Sequence, residues 1–232
     1  MMHYEHSEHH LSHRSGWLRA GVLGANDGLI STASLMTGMV AARPDFETLL
    51  LTGVAALVGG AISMAAGEYV SVYSQMDTEK ADIEMEKREL AAHPEKELDE
   101  LTQIYQKRGL TPELALEVAK QLTAHDALDA HMRDEIGIRQ EDLSNPLEAA
   151  LSSAASFAVG GILPVLVTIL LPMNILLSAL IITTLVGLGT LGYISAKLGG
   201  APVRPAVMRI VIWGFIAMAV TGIIGKIVGV AV

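Results

Sequence analysis

The chain has 232 residues, of which 51% are hydrophobic, 4% aromatic and 18% charged, and it contains no cysteine. Its formal net charge is −9 and it has no basic stripe, which excludes a nucleic-acid binder because such proteins neutralise phosphates with Lys and Arg. The absence of cysteine excludes a disulfide-stapled secreted fold and thiolate-ligated zinc or iron–sulfur sites.

The charge is distributed unevenly along the chain. Residues 73–145 hold 18 acids against nine bases, whereas the rest of the chain holds seven acids and seven bases. The mean hydropathy is nevertheless +0.42, so the neutral remainder must be strongly apolar. The sequence therefore predicts two regions of different chemistry.

The first 16 residues form a polar tail that is rich in histidine. Five histidines occur within 13 residues: His3, His6, His9, His10 and His13. A short polar tail of this kind is typical of a mobile segment. It either captures metal loosely at the membrane surface or is simply solvated, and the sequence leaves both alternatives open.

Five apolar segments are long enough to cross a bilayer, which takes about 20 residues in a helix. They cover residues 17–40, 48–70, 147–171, 175–196 and 206–231. Backbone groups in lipid must be paired internally, so each span is predicted to be a helix. The Lys and Arg residues that flank the spans predict that the N-terminus and residues 73–145 are cytoplasmic and that the C-terminus is outside the cell or in a lumen. The alternative is a soluble bundle of five unusually apolar helices.

Small residues recur at four-residue spacing in the first and last spans. The first span has Gly24 and Gly28 after Ala20, and the last span has Gly225 and Gly229. Such stripes allow helix backbones to approach each other closely. They predict helix contacts without identifying the partner helices.

Three residues in the first two spans are candidates for an ion path. Asp27 lies in the interior of the first span, where a carboxylate is costly and normally faces a pathway, a partner or an ion. Met64 and Glu68 are one helical turn apart near the cytoplasmic end of the second span. A thioether beside carboxylates suits a borderline divalent transition metal, whereas magnesium and calcium prefer oxygen ligands. The alternatives are a hydrogen-bonded structural Asp27, a packing Met64 and an interfacial Glu68.

The acidic segment is predicted to consist of helices. The second helix should continue out of the membrane over residues 71–91 until Pro94 interrupts it, and a further helix is predicted over about 95–108. Thr111 and Pro112 are a typical helix start, and a fourth helical stretch is predicted over about 123–136.

Acidic pairs recur on these helices at intervals of three residues. Glu86 and Glu89 are followed by Glu97 and Glu100 on the next helix, and Glu135 follows Met132 at the same interval. Carboxylates on facing helices are the way in which helical di-metal sites are built. The spacing therefore predicts metal binding, with a solvated acidic face as the alternative.

Several motifs resemble those of the vacuolar iron transporter family. The segments GANDGLIS at 24–31 and SMAAGEYVS at 63–71 are similar to the signatures of that family. QMDTE at 75–79 and LTAHD at 122–126 are similar to its bacterial members. The resemblance covers nearly the whole chain, and its motifs are long enough to be specific.

The resemblance implies a homodimer with five spans in each subunit, an ion path between the subunits and a cytoplasmic three-helix metal-binding domain. It implies export of Fe²⁺, and often Mn²⁺, from the cytosol in exchange for protons, into a vacuole in eukaryotes. Carried over by motif, the path ligands are Asp27 and Met64 with Glu68 near the entrance, and the cytoplasmic ligands are Glu86, Glu89, Glu97, Glu100, Met132 and Glu135. The family pattern can show methionine at position 131, where this chain has histidine. His131 is therefore a further predicted ligand, and it leaves the preference among Fe²⁺, Mn²⁺, Co²⁺ and Zn²⁺ open. A bacterial-type sequence implies the plasma membrane, and a eukaryotic source would imply a vacuolar-type membrane.

The sequence thus predicts an all-α polytopic membrane protein with five transmembrane helices and a cytoplasmic metal-binding domain of three to four helices between spans two and three. In chain order the predicted regions are the tail (1–16), spans one and two (17–72), the acidic domain (73–145) and spans three to five (146–232). The predicted function is proton-coupled export of a divalent metal, not catalysis. One alternative is a membrane-tethered, ferritin-like di-iron oxidase, although the expected Glu-x2-His pairs do not occur. The other is a metal buffer or sensor without transport, which leaves Asp27 unexplained.

Overall fold

The computed structural model describes residues 15–138 and 145–231, and these residues form α-helices and one π-helical turn, with no strand among them. The elements are α1 (Ser15–Ala42), α2 (Phe46–Ala92), α3 (Pro94–Lys107), α4 (Pro112–His131), the π-helical turn (Met132–Ile136), α5 (Pro146–Leu170), α6 (Met173–Leu198) and α7 (Val203–Ala231). The predicted all-α class is confirmed for this part of the chain. The five histidines of the tail lie outside the described residues.

Four of the described helices are long and apolar enough to cross a membrane, namely α2, α5, α6 and α7. Helix α1 has 28 residues but is not among them, because Asn26 and Asp27 interrupt its apolar run. Helices that are long and apolar enough to cross a membrane are therefore found at four of the five predicted places. The predicted first span, over residues 17–40, and the sidedness of the chain stay predictions.

The chain divides into two compact units. The first comprises the described parts of residues 1–68 and 147–232, and the second comprises the described parts of residues 69–146. Helix α2 contributes residues to both units. The roles assigned to the four sequence ranges stay predictions.

Small residues bring helix backbones together in the first unit. A Cβ atom at Gly28 of α1 would meet the backbone carbonyl of Phe157 in α5, and one at Gly225 of α7 would meet the backbone carbonyl of Gly38 in α1. Backbones approach this closely where a glycine places no side chain between the two helices. The two glycine stripes predicted close contacts, and the structure identifies α5 and α1 as the partner helices.

A compact apolar core holds the rest of the first unit together. Its buried members are Met36, Leu49, Val165, Val167, Leu176 and Leu180. Many large apolar side chains on the outer faces are exposed, including Ile182 (61%) and Ile227 (64%). Such an exterior is typical of helices that lie against lipid or another apolar surface.

The second unit is a small helical domain with its own core. Pro94 occupies the first turn of α3, and the hydroxyl of Thr111 accepts a hydrogen bond from the amide of Leu114 (3.4 Å) at the start of α4. The core residues are Leu101, Tyr105, Ala115, Ala119 and Ala130. The predicted continuation of α2, the helix over 95–108 and the helix start at Thr111 are confirmed.

The fourth predicted stretch, over about 123–136, is continuous with the third. It forms the last part of α4 and the π-helical turn. The two parts of α4 meet at Asp126, which has an extended backbone (φ −160°, ψ 99°). Its side chain accepts a hydrogen bond from the amide of Asp129 (3.0 Å), so Asp126 caps the segment that follows it.

Candidate metal centre

Three elements and the π-helical turn of the second unit bring four potential ligands together. Glu86 comes from α2, Glu97 from α3, His131 from the end of α4 and Glu135 from the π-helical turn. One ligand atom from each of these residues lies within 4.8 Å of the others. We call these four residues the acidic cluster.

His131 lies at the middle of the acidic cluster. Its Nδ1 atom is 2.8 Å from Oε2 of Glu135, 3.0 Å from Oε1 of Glu86 and 3.9 Å from Oε2 of Glu97. The imidazole is completely buried. When Nδ1 carries the hydrogen, it can donate to Glu135, and Oε1 of Glu86 is then buried without a donor from the described residues. The other ring nitrogen, Nε2, also has no partner among the described residues.

Buried polar atoms normally have hydrogen-bond partners, and a buried charge is normally paired or bound to a metal. An oxygen and a nitrogen without partners at one place are therefore an observation that needs an explanation. A divalent cation supplies one, because it accepts electron pairs from carboxylate oxygen and from neutral imidazole nitrogen alike.

The electrostatics of the acidic cluster point the same way. Glu86 lies beyond the apolar segment 48–70, and burial raises its pKa, with repulsion from Glu135 adding to the effect. Burial also raises the pKa of Glu97, and repulsion from Glu100 adds to it, while the imidazole of His131 opposes both shifts. A bound cation would remove the repulsion and favour the ionised carboxylates.

The structure distinguishes among the residues predicted as cytoplasmic ligands. It brings Glu86, Glu97, His131 and Glu135 together, whereas Glu89 and Glu100 are exposed and act on Glu97 through their charge. Met132 is buried beside His131, with 3% of its surface exposed. The ligand role of each of these residues stays a prediction.

The predicted path residues belong to the first unit. Asp27 is exposed on α1, and its backbone carbonyl accepts a hydrogen bond from the hydroxyl of Ser31 (2.6 Å). Met64 and Glu68 are half-buried, one turn apart on α2. Within the described residues, no hydrogen bond or ion pair joins the side chains of Asp27, Met64 and Glu68. Their role in a path therefore stays a prediction.

Sequence reasoning missed Asp134, which directly precedes Glu135. Its carboxylate accepts hydrogen bonds from Tyr105 (2.6 Å), Arg108 (2.6 Å) and Arg133 (3.1 Å). Burial alone would raise the pKa of Asp134, but these hydrogen bonds outweigh it and lower the pKa to about 2. Burial, with Asp134 adding to it, raises the pKa of Tyr105 to about 12, so the phenol stays a donor. Tyr105 and Arg108 lie 29 and 26 residues away, so no local pattern reveals this contact.

Comparison with known proteins identifies the family. The model of the VIT family matches residues 18–226. A protein of Acanthamoeba castellanii named vacuolar iron transporter is 44% identical over 208 residues, which is 89% of this chain and 77% of the relative. Vacuolar iron transporter homolog 2 of Arabidopsis thaliana is 35% identical over 219 residues, which is 94% of this chain and 87% of the relative. The resemblance drawn from the motifs is confirmed, and the chain belongs to the VIT family.

Proposed function

We propose that this protein transports divalent transition metals, exporting Fe²⁺ and also Mn²⁺ from the cytosol in exchange for protons. The observation that carries the proposal is the acidic cluster, in which three carboxylates surround a buried imidazole. Membership of the VIT family supports it, because relatives are named vacuolar iron transporter. The metal is the substrate, and the protein is a transporter rather than an enzyme.

The donor set argues for the class of metal. Carboxylate oxygens together with one imidazole suit Mn²⁺, Fe²⁺, Co²⁺ and Zn²⁺, whereas calcium and magnesium are bound through oxygen. Met132 and Met64 would add thioether sulfur, which magnesium and calcium do not favour. The unpaired Nε2 and Oε1 atoms in the acidic cluster are consistent with a site that is completed by an ion.

The proposed mechanism has two stages. The acidic cluster, with Glu89, Glu100 and Met132 around it, collects the ion at the cytoplasmic side, since clustered carboxylates raise the local cation concentration. Asp27 and Met64 then bind the ion within the membrane, with Glu68 near the entrance. Protonation of Asp27 or Glu68 from the opposite side releases the ion and provides the exchange.

The proposed arrangement in the membrane has five spans, with the N-terminus and residues 73–145 in the cytoplasm. The apolar helices α2, α5, α6 and α7 support membrane insertion. We further propose a homodimer, in the plasma membrane of a bacterium or in a vacuolar-type membrane if the source is eukaryotic. The exposed apolar faces of the first unit are consistent with contacts to lipid and to a second subunit.

The test is metal flux into proteoliposomes that carry a pH gradient. Fe²⁺ and Mn²⁺ should enter with countermovement of protons, and Co²⁺ and Zn²⁺ in competition should define the selectivity. Asp27→Asn should abolish both fluxes, whereas Glu47→Gln, which changes an exposed acid in the first turn of α2, should preserve them.

Three results would contradict the proposal. Full metal-driven proton flux in Asp27→Asn would remove Asp27 from the mechanism. Binding without any flux would favour a buffer or sensor. Oxygen consumption on addition of Fe²⁺, without flux, would favour an oxidase.

A further inference from the structure

A network of hydrogen bonds joins α3 to the π-helical turn next to the acidic cluster. Oη of Tyr105 donates to Oδ2 of Asp134 (2.6 Å), and Nη1 of Arg108 donates to Oδ1 (2.6 Å). The second guanidinium nitrogen of Arg108 donates to the backbone carbonyl of Asp134 (3.0 Å). We call Tyr105, Arg108 and Asp134 the α3 clamp.

We propose that the α3 clamp positions Glu135 and His131 for metal binding and thereby sets the affinity of the acidic cluster. The inference rests on the proposed function, since it assumes that the acidic cluster binds the transported metal. The residues of the clamp do not touch the ion in this proposal; they act through the ligands next to them.

The first argument is the place of the backbone hydrogen bond. The carbonyl of Asp134 belongs to the peptide group that joins Asp134 to Glu135. Because Arg108 binds both this carbonyl and the carboxylate, it fixes the main chain at the ligand and not only a side chain. Glu135 and His131 are four residues apart in the same segment, and their side chains are 2.8 Å from each other. Holding Glu135 therefore also orients the contact with His131.

The second argument is the origin of the donors. Glu97, Leu101 and Tyr105 follow each other at four-residue intervals on α3, and all three are buried. This spacing places them along one side of the helix. The helix that supplies the ligand Glu97 thus also supplies the donor that holds the opposite half of the acidic cluster. The clamp sets the distance between Glu97 and Glu135 through one rigid element.

The third argument is the nature of the segment that is held. A π-helical turn occurs at Met132–Ile136, and such turns are rare and are found frequently at functional sites. The segment begins at the cap formed by Asp126 and ends at Gly137, whose φ of 82° terminates it. Between these ends, the α3 clamp supplies hydrogen bonds from outside the segment. Without it, the segment would lose the hydrogen bonds that tie the residue before Glu135 to α3.

The chemistry of the clamp suits a fixed structural contact. Asp134 has 9% of its side chain exposed, and its carboxylate is bonded at both oxygens. The Tyr105 ring is packed in the core of the second unit, and the Arg108 guanidinium lies 5.6 Å from its centroid. Removing the Tyr105 hydroxyl should therefore loosen the clamp while the ring keeps its packing.

The experiment uses the full chain in detergent and two variants of the clamp. Tyr105→Phe removes one hydrogen bond, and Arg108→Gln removes the fork of donors at a residue whose side chain is 51% exposed. Tyr73→Phe, in the exposed part of α2, is the matched control. Glu97→Gln changes a proposed ligand and therefore shows how much of the Mn²⁺ binding is due to the acidic cluster.

Mn²⁺ affinity is measured from the electron paramagnetic resonance signal of free Mn²⁺, and the ligand geometry is read from the visible absorption of bound Co²⁺ at saturation. Each clamp variant should bind Mn²⁺ about 10-fold or more weakly, as is typical of groups that orient metal ligands. The Co²⁺ spectrum should also change at saturation, which a loss of overall stability alone would not produce. Tyr73→Phe should match the wild type in both measurements.

The outcomes separate the two proposals. If Glu97→Gln weakens Mn²⁺ binding while both clamp variants keep the wild-type affinity and Co²⁺ spectrum, the positioning role is wrong and the metal centre stands. If Glu97→Gln binds Mn²⁺ as tightly as the wild type, the metal centre is wrong and the inference falls with it. Weaker Mn²⁺ binding and an altered Co²⁺ spectrum in both clamp variants, together with the loss in Glu97→Gln, would establish the clamp.

Discussion

Replacing Glu97 with glutamine should stabilise the metal-free protein and weaken its response to metal. Burial, followed by repulsion from Glu100, raises the pKa of Glu97 above its ordinary value of 4.5. A carboxyl group with a raised pKa contributes stability that is fully present below the unfolded pKa and is lost as the pH rises through the folded pKa. Glutamine is similar in size and uncharged, so the metal-free variant should escape this loss at about pH 7.5.

The structure gives the scale of the effect. At 4.8 Å, the distance within which all the ligand atoms lie, two ionised carboxylates repel each other by about 3.5 kcal/mol at an effective dielectric constant of about 20. His131, 3.9 Å from Glu97, and the solvent exposure of Glu135 reduce the net effect. We expect the free energy of unfolding of metal-free Glu97→Gln to exceed that of the wild type by about 1 kcal/mol. A difference of this size shifts the melting temperature of a domain as small as the second unit by about 4–8 °C. Metal at about 100 times its Kd adds about 2.7 kcal/mol to the wild type.

The variant Glu97→Gln should therefore be more stable than the wild type without metal and less stable than the wild type with metal. Thermal unfolding of the full chain in detergent, with a chelator and with Mn²⁺, measures both states. Glu97→Gln should melt above the wild type with the chelator and below it with Mn²⁺, and the difference with the chelator should vanish at acidic pH. Glu117→Gln, an exposed acid on α4, is the matched control and should change neither. A lower melting temperature of Glu97→Gln in chelator near neutral pH, or an equal gain from Mn²⁺, would refute the reasoning.

Three further predictions concern Asp134, His131 and Gly28. Asp134→Asn should make the free energy of unfolding less dependent on pH between about pH 4 and pH 2. The pKa of Asp134 is lowered from 3.8 to about 2, so this carboxylate contributes stability that is present above pH 3.8 and lost as the pH falls toward 2. Parallel acid unfolding curves of variant and wild type would contradict this. His131→Met should lower the affinity for Zn²⁺ and Co²⁺ more than that for Mn²⁺ in competition titrations, since Zn²⁺ and Co²⁺ gain more from an imidazole ligand than Mn²⁺, which prefers carboxylate oxygen; equal losses for all three ions would contradict it. Gly28→Ala should lower the melting temperature, because its Cβ would meet the backbone carbonyl of Phe157, whereas Gly67→Ala, whose Cβ would meet none of the described residues within 4 Å, should not; equal melting temperatures of the two variants would contradict the close packing of α1 on α5.

Most helix boundaries of the second unit could be predicted from local signals. Pro94 must lie at the start of a helix or outside one, and the Thr111–Pro112 pair supplies a cap and a first turn, so both helix starts follow from chemistry within a few residues. The break at Asp126 could not be found in this way. Asp is tolerated within a helix and also favoured as a cap, and only the packing of the following segment decides between these roles.

The candidate site was only partly predictable for a similar reason. The three-residue spacing places Glu86 and Glu89 on one stripe of α2, but it does not say which of them faces the neighbouring helices. The structure buries Glu86 and leaves Glu89 exposed. The α3 clamp was out of reach, since Asp134 and its donor Tyr105 meet only through the packing of α3 against the π-helical turn. Long-range contacts of this kind leave no local sequence pattern.

A comparison of the carboxylate of Asp134 with those of the acidic cluster supports the proposal that the acidic cluster binds a metal ion. Asp134 has donors at both oxygens, and its pKa is lowered to about 2. One residue further on, Glu135 belongs to the acidic cluster, in which burial raises the pKa of Glu86 and Glu97. One oxygen of Glu86 has no hydrogen-bond partner in the part of the chain that the structure describes. The fold can therefore place tyrosine and arginine donors at a buried carboxylate in this segment, and it directs them to Asp134 alone. This difference supports our proposal that the acidic cluster binds a cation, because a carboxylate oxygen without a fixed donor keeps its electron pairs for a metal.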